Sequence, residues 1–91
     1  MDKRVAEALR KQYAWDILLA LYEQGEGVFS EILQRIGILR TYRYRKAREA
    51  LFALIEAGLV SREVEKRGAV ERWLIKLTER GEKLCRCITE I

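Results

Sequence analysis

Between positions 35 and 48 the chain carries Arg35, Arg40, Arg43, Arg45, Lys46 and Arg48 and no acidic residue. The net charge of the whole chain is only +4, so outside this stretch acids outnumber bases. Charge focused in this way attracts a polyanion and steers its approach. A solvated helix face usually interleaves Glu with Lys, and this run does not. Arginine adds geometry to charge. Its guanidinium fork can donate two parallel hydrogen bonds to a phosphate or to a guanine edge.

Other chemistry is poorly provided for. There is no histidine. Cys85 and Cys87 are two positions apart and point to nearly opposite sides of a helix, so they cannot share a metal. They read as packing residues, or one of them as half of an intersubunit disulfide. No phosphate-cradling glycine loop or nucleophile–base pair stands out, so neither catalysis nor a cofactor is expected. The chain also lacks Asn and is rich in Arg and Glu. That composition points to a thermophilic or archaeal source, where intracellular disulfides are tolerated.

The elements that position the basic run follow from periodicity. With 49% hydrophobic and 35% charged residues, the 91-residue chain reads as one globular domain over 1–91. No apolar run approaches the roughly 20 residues of a membrane span, and no signal-peptide pattern opens the chain, so a cytoplasmic location is expected. A helix is predicted over about 2–24. One stripe is Ala14, Ile17, Leu18 and Leu21, and a second is Trp15, Leu19 and Tyr22. Gly25-Glu26-Gly27 ends it. Ser30 is the expected N-cap of a short second helix to about Arg35, with Ile32, Leu33 and Ile36 inward and Gly37 closing it. A third helix is predicted over about 41–57, stopped by Gly58. Its buried face holds Tyr44, Ala47, Leu51, Leu54 and Ile55. Tyr42, Arg45, Lys46, Glu49 and Ala53 lie opposite, with Arg43 and Arg48 on the flanks. Two strands follow, 59–65 and 70–77, joined by a turn at Lys66-Arg67-Gly68-Ala69. Thr78 caps a last helix in which Leu84, Ile88, Cys85 and Ile91 face inward. The fold class is α+β, mostly α.

Three strings carry a family resemblance. Glu31-Ile32-Leu33-Gln34-Arg35-Ile36-Gly37-Ile38 looks like the second helix and turn of a helix-turn-helix. Leu54-Ile55-Glu56-Ala57-Gly58-Leu59-Val60 looks like a recognition helix running into a wing. Trp73-Leu74-Ile75-Lys76-Leu77-Thr78-Glu79-Arg80-Gly81 looks like a second wing strand and the "LTxxG" start of a helix. Together, from about Ala14 to Leu84, they resemble winged helix-turn-helix transcription regulators of the MarR and PadR kind. The resemblance implies a three-helix core, a two-stranded β-wing, a C-terminal helix and a double-stranded DNA partner. The interval from Gly37 to Gly58 exceeds the MarR-type one by about one helical turn. Its terminal helices are shorter than a full MarR-type dimer module.

In such a fold the third helix enters the major groove. Arg45 and Lys46 are then expected at base edges with Tyr42 beside them. Glu49 either accepts from cytosine or orients Arg45. Arg35, Arg40, Arg43 and Arg48 are expected on phosphates, and Lys66 and Arg67 at the wing tip on the flanking backbone or minor groove, unless that tip is simply solvated. Arg72 is a weaker candidate. Tyr44 and Trp73 are expected in the core. The Trp15, Leu19 and Tyr22 stripe either forms a homodimer interface or packs on the C-terminal helix within one chain. A protein-interaction module and an RNA-binding module, the latter suggested by Tyr42 as a stacking platform, are the rival readings.

Overall fold

A computed structural model describes residues 2–38 and 43–90. The expected contacts of Arg40 and Tyr42, and the inward placement of Ile91, lie outside these described residues. The element order is α1 (Lys3–Leu9), α2 (Ala14–Gln24), β1 (Glu26–Val28), α3 (Phe29–Arg35), α4 (Arg43–Glu56), β2 (Val60–Arg67), β3 (Val70–Leu77) and α5 (Glu79–Thr89).

The single long N-terminal helix expected from periodicity is two helices. Tyr13 adopts φ 72°, a left-handed conformation that interrupts the helix just before Ala14. Short-range bonds from Arg10 and Lys11 N–H to the Glu7 and Ala8 carbonyls tighten the end of α1. The break lets α1 bury Val5 and Ala8 and pack on α4, while α2 buries Ala14, Ile17, Leu18 and Leu21.

Ser30 does not cap α3. The helix begins at Phe29, Val28 occupies the cap position without a side-chain bond, and Ser30 lies in the first turn. The reason is β1, a strand where a turn is expected at Glu26-Gly27. Glu26, Gly27 and Val28 pair antiparallel with Lys76, Ile75 and Leu74, so the chain enters α3 directly from a strand. The sheet is therefore three-stranded, in the order β1-β3-β2, and the wing is its β2–β3 hairpin.

Two glycines end helices as expected, and the hydrogen bonds say why. Gly37 (φ 83°) donates to the Gln34 carbonyl and Ile38 to that of Leu33. Gly58 (φ 77°) donates to Ile55 and Leu59 to Leu54. Each pair is a Schellman closure, which needs a left-handed residue that glycine adopts without strain. In both, the residue after the glycine is buried, which anchors the exit of the chain.

The hairpin turn is tighter than expected. Arg67 pairs with Val70, leaving only Gly68-Ala69 in the turn, so Lys66 and Arg67 belong to β2. Thr78 caps α5 as expected. Its hydroxyl accepts from Gly81 N–H at 3.1 Å and donates to the Gly58 carbonyl at 2.6 Å, tying the helix to the end of α4. A Cβ on Gly81 would collide with the Leu59 carbonyl, so this close approach requires glycine. Cys85 is buried beside it and Leu84 half-buried. Ile88 was expected inward but is 39% exposed, because the narrow core face of α5 is made by Gly81 and Cys85. Cys87 is exposed rather than packed.

Candidate nucleic-acid interface

α4 is the longest helix among the described residues, and its two halves differ. Ala47, Ala50, Leu51 and Leu54 are buried and fix its orientation on the core. Arg43, Tyr44, Arg45, Lys46, Arg48 and Glu49 are exposed. Alanines at 47 and 50 let the N-terminal half lie close to the core, while the long side chains around them project to solvent.

The exposed groups differ in their surroundings. Arg45 forms no ion pair with a described residue. Lys46 lies 3.9 Å from Glu49, one turn on, so Glu49 partners Lys46 rather than Arg45. Arg35 reaches back to the end of α2, at 2.8 Å from Glu23 and 3.0 Å from the Gln24 side-chain oxygen. Arg67 on β2 pairs with Glu65 at 2.9 Å, and Arg72 lies 4.0 Å from Glu31. Lys66 is exposed at the outer end of β2. The candidate residues thus occupy two bodies, the α3–α4 unit and the hairpin, rather than one continuous patch.

Two residues expected in the core sit at the joint between those bodies. Tyr44 is 39% exposed, its ring 6.1 Å from that of Phe29. Trp73 is half-buried and its indole N–H donates to Glu71 at 3.0 Å. The ring of Trp73 stacks on Phe29 at 5.8 Å and meets Phe52 at 5.7 Å. Phe29 is buried, and Tyr44 and Trp73, each with a polar group that needs a partner or water, form an aromatic layer over it at the rim of the core. An open groove of about 570 Å³ lies between the hairpin and the starts of α3 and α4, lined by Phe29, Tyr44, Arg48, Arg72 and Trp73.

The aromatic layer changes the position of Arg48. Its guanidinium carbon lies 5.3 Å from the Phe52 ring centre and 5.4 Å from that of Trp73. Arg62 of β2, not among the residues expected at the interface, lies 5.3 Å and 4.8 Å from the same two rings. These are cation–π distances. The one-turn spacing of Arg48 and Phe52, and the alternation placing Arg62 and Trp73 on one hairpin face, were the available signals.

On α2, Trp15 and Tyr22 are half-buried against the core and Leu19 is 37% exposed. α5 packs on the same helix, with the Cys85 thiol 3.8 Å from the Leu18 carbonyl. Among the described residues no group of three or more His, Cys, Asp or Glu side chains is placed to hold a metal. No helix among them is long and apolar enough to cross a membrane.

No protein-family model matches the chain, and no curated protein does. Solved structures do. The reduced form of the transcriptional regulator YodB from B. subtilis superposes with a TM-score of 0.73 at 24% identity, covering 99% of this chain and 86% of that one. NadR in complex with 4-hydroxyphenylacetate gives 0.72 at 31% identity over 96% of this chain and 58% of that one. Reduced AbfR bound to DNA gives 0.70 at 19% identity over 97% of this chain and 62% of that one. The chain thus spans less than two thirds of the length of NadR and of AbfR. With α3 and α4 as the helix pair, the β2–β3 hairpin as the wing and β1 completing the sheet, the chain has the winged helix-turn-helix fold of MarR-family transcriptional regulators.

Proposed function

We propose that the chain binds double-stranded DNA as a transcriptional regulator, with α4 in the major groove and the wing on the flanking backbone or minor groove. The observation that carries this reading is the N-terminal half of α4. It presents Arg45 and Lys46 to solvent on a helix fixed by buried Ala47 and Ala50, with no acid on α4 before Glu49. A helix of this kind fits the major groove, where Arg and Lys read guanine. AbfR, which shares the fold, is bound to DNA in its structure. Arg35, Arg43 and Arg48, with Lys66 and Arg67 on the wing, are assigned to the phosphates, and Arg40 and Tyr42 complete the set from the sequence. The function is one of binding, not catalysis, and belongs in the cytoplasm with the DNA it regulates. A homodimer through Trp15, Leu19 and Tyr22 is part of the same proposal.

Fluorescence anisotropy against random duplex, single-stranded DNA and RNA across a salt series tests this. Duplex affinity should fall steeply with salt, with a log–log slope of about −0.9 per neutralised phosphate. Arg45→Ala combined with Lys46→Ala should weaken duplex binding by at least about tenfold, the loss of one good base or phosphate contact. Unchanged binding in that double variant removes α4 from the groove. Tighter binding to RNA or to single strands than to duplex would favour the RNA-binding reading instead.

A further inference from the structure

The aromatic layer joins the two bodies that carry the candidate contacts. Arg48 and Phe52 are one turn apart on α4. Arg62 and Trp73 are diagonal neighbours on one face of the hairpin, because Arg62 pairs with Ile75 and Val64 with Trp73. Both guanidinium groups lie within 5.4 Å of both ring centres. A helical pair and a hairpin pair are thus packed into one cluster, each cation near both rings.

The position of this cluster along the hairpin matters. At its root the hairpin is pinned by Leu59 N–H to the Leu54 carbonyl and by Thr78 to Leu59 and Gly58. Core anchoring ends with buried Val60 and Ile75, and further out Val64 and Val70 are exposed. The turn at Gly68 stands about 26 Å from the root, taking ~3.3 Å per strand residue. A small change of angle at the root is magnified at the tip. The Arg48–Phe52–Trp73–Arg62 cluster lies beyond these buried anchors, beside the Phe29–Trp73 stack, with the Arg72–Glu31 pair at 4.0 Å one residue further out.

We propose that Arg62 and Trp73 are positioning residues for DNA binding: with Arg48 and Phe52 they clasp the wing to the recognition helix, so that α4 and the wing tip meet one duplex at a set angle. The proposal rests on the DNA-binding reading. Arg62 acts through the wing tip and touches no base.

Arg62→Gln tests it, because Arg62 is exposed and its loss leaves the core intact. In the free protein, residual dipolar couplings of the hairpin amides should fit the alignment of the helices in the wild type. In Arg62→Gln they should depart from it, and Arg62→Lys, which keeps a cation, should restore the fit. On duplex, Lys66→Ala combined with Arg67→Ala should lower wild-type affinity about tenfold at moderate salt. In the Arg62→Gln background the same pair should cost less than about twofold, since a wing already out of place has little left to lose. Couplings unchanged in Arg62→Gln, or additive losses in the cycle, overturn the clasp while leaving the DNA reading intact. A wild type that ignores duplex overturns the DNA reading and this role with it.

Discussion

Arg35, Lys46 and Arg67 are already paired with Glu23, Glu49 and Glu65, and each of these pairs is exposed. Exposed ion pairs contribute about 0–1 kcal/mol and are screened by salt, so a phosphate can displace such a carboxylate at little cost. The carboxylates still matter for what they repel. Glu49 is the only acid on the exposed N-terminal half of α4 among the described residues, and it lies beside Lys46. If its work is to hold Lys46, Glu49→Gln removes a repulsion toward phosphate. Random-duplex affinity at low salt should then rise about two- to fivefold, the scale of one exposed charge interaction. If Glu49 instead accepts from a cytosine, the same change leaves random binding nearly flat and weakens a selected site. Titration of both duplex types separates the two, and a fall in random-duplex affinity would contradict both.

The ends of the helices are tied to one another more than their sequence patterns suggest. Asp2 caps α1 by accepting from Arg4 N–H at 2.8 Å. Its carboxylate also lies 3.5 Å from Arg80 of α5, whose guanidinium donates at 3.3 Å to the Ala57 carbonyl at the end of α4. One arginine therefore joins the start of α1, the end of the recognition helix and the first turn of α5. The backbone bond from Arg4, aided by Arg80, holds the Asp2 carboxyl below its ordinary range. A folded-state value below the unfolded one means the stabilisation is fully present above the unfolded value. It is lost as pH falls through the folded one. Acidification below the usual aspartate range should therefore loosen α1, seen as faster amide exchange at Val5 and Ala8. Asn caps helices as well as Asp. Asp2→Asn should thus keep α1 at neutral pH but lose this part of the pH dependence. An Asp2→Asn protein with the wild-type pH profile would show that the carboxylate is not the group responsible. These ties also mark what could be read in advance. The Gly37 and Gly58 closures, the Thr78 cap and the two wing strands were legible because each follows from local spacing. β1 was not, because three residues are too few to show alternation and its partner lies far along the chain. The break at Tyr13 was not, because both flanking segments keep helical periodicity. At the site, the exposure of Arg45 and Lys46 followed from one-face counting. The clasp needed two elements brought together, and so Trp73 and Tyr44 were assigned to a core they only border.

At the scale of the whole molecule, the proposed homodimer makes demands on the surface of α2 and α5. α2 turns one stripe into the core, and α5 covers part of its flank through Cys85. Packing within the chain thus half-buries Trp15 and Tyr22, yet leaves Leu19 and, on α5, Ile88 exposed on two helices that touch. A stable dimer usually covers about 800 Å² on each partner, more than one stripe supplies, so both helices must contribute. A two-fold pairing of that kind would set two recognition helices about 34 Å apart, one turn of DNA, and so favour a palindrome. Leu19→Glu places a charge in the middle of this surface without touching the core or α4. Sedimentation equilibrium should show a dimer for the wild type and a monomer for the variant, with the helical content of both unchanged. The variant should also lose the preference for two properly spaced half-sites over one, while keeping the single-site salt slope, because its phosphate contacts are untouched. A monomeric wild type, or a Leu19→Glu protein that still dimerises, would place the contact elsewhere and return Leu19 to the ordinary exposed surface.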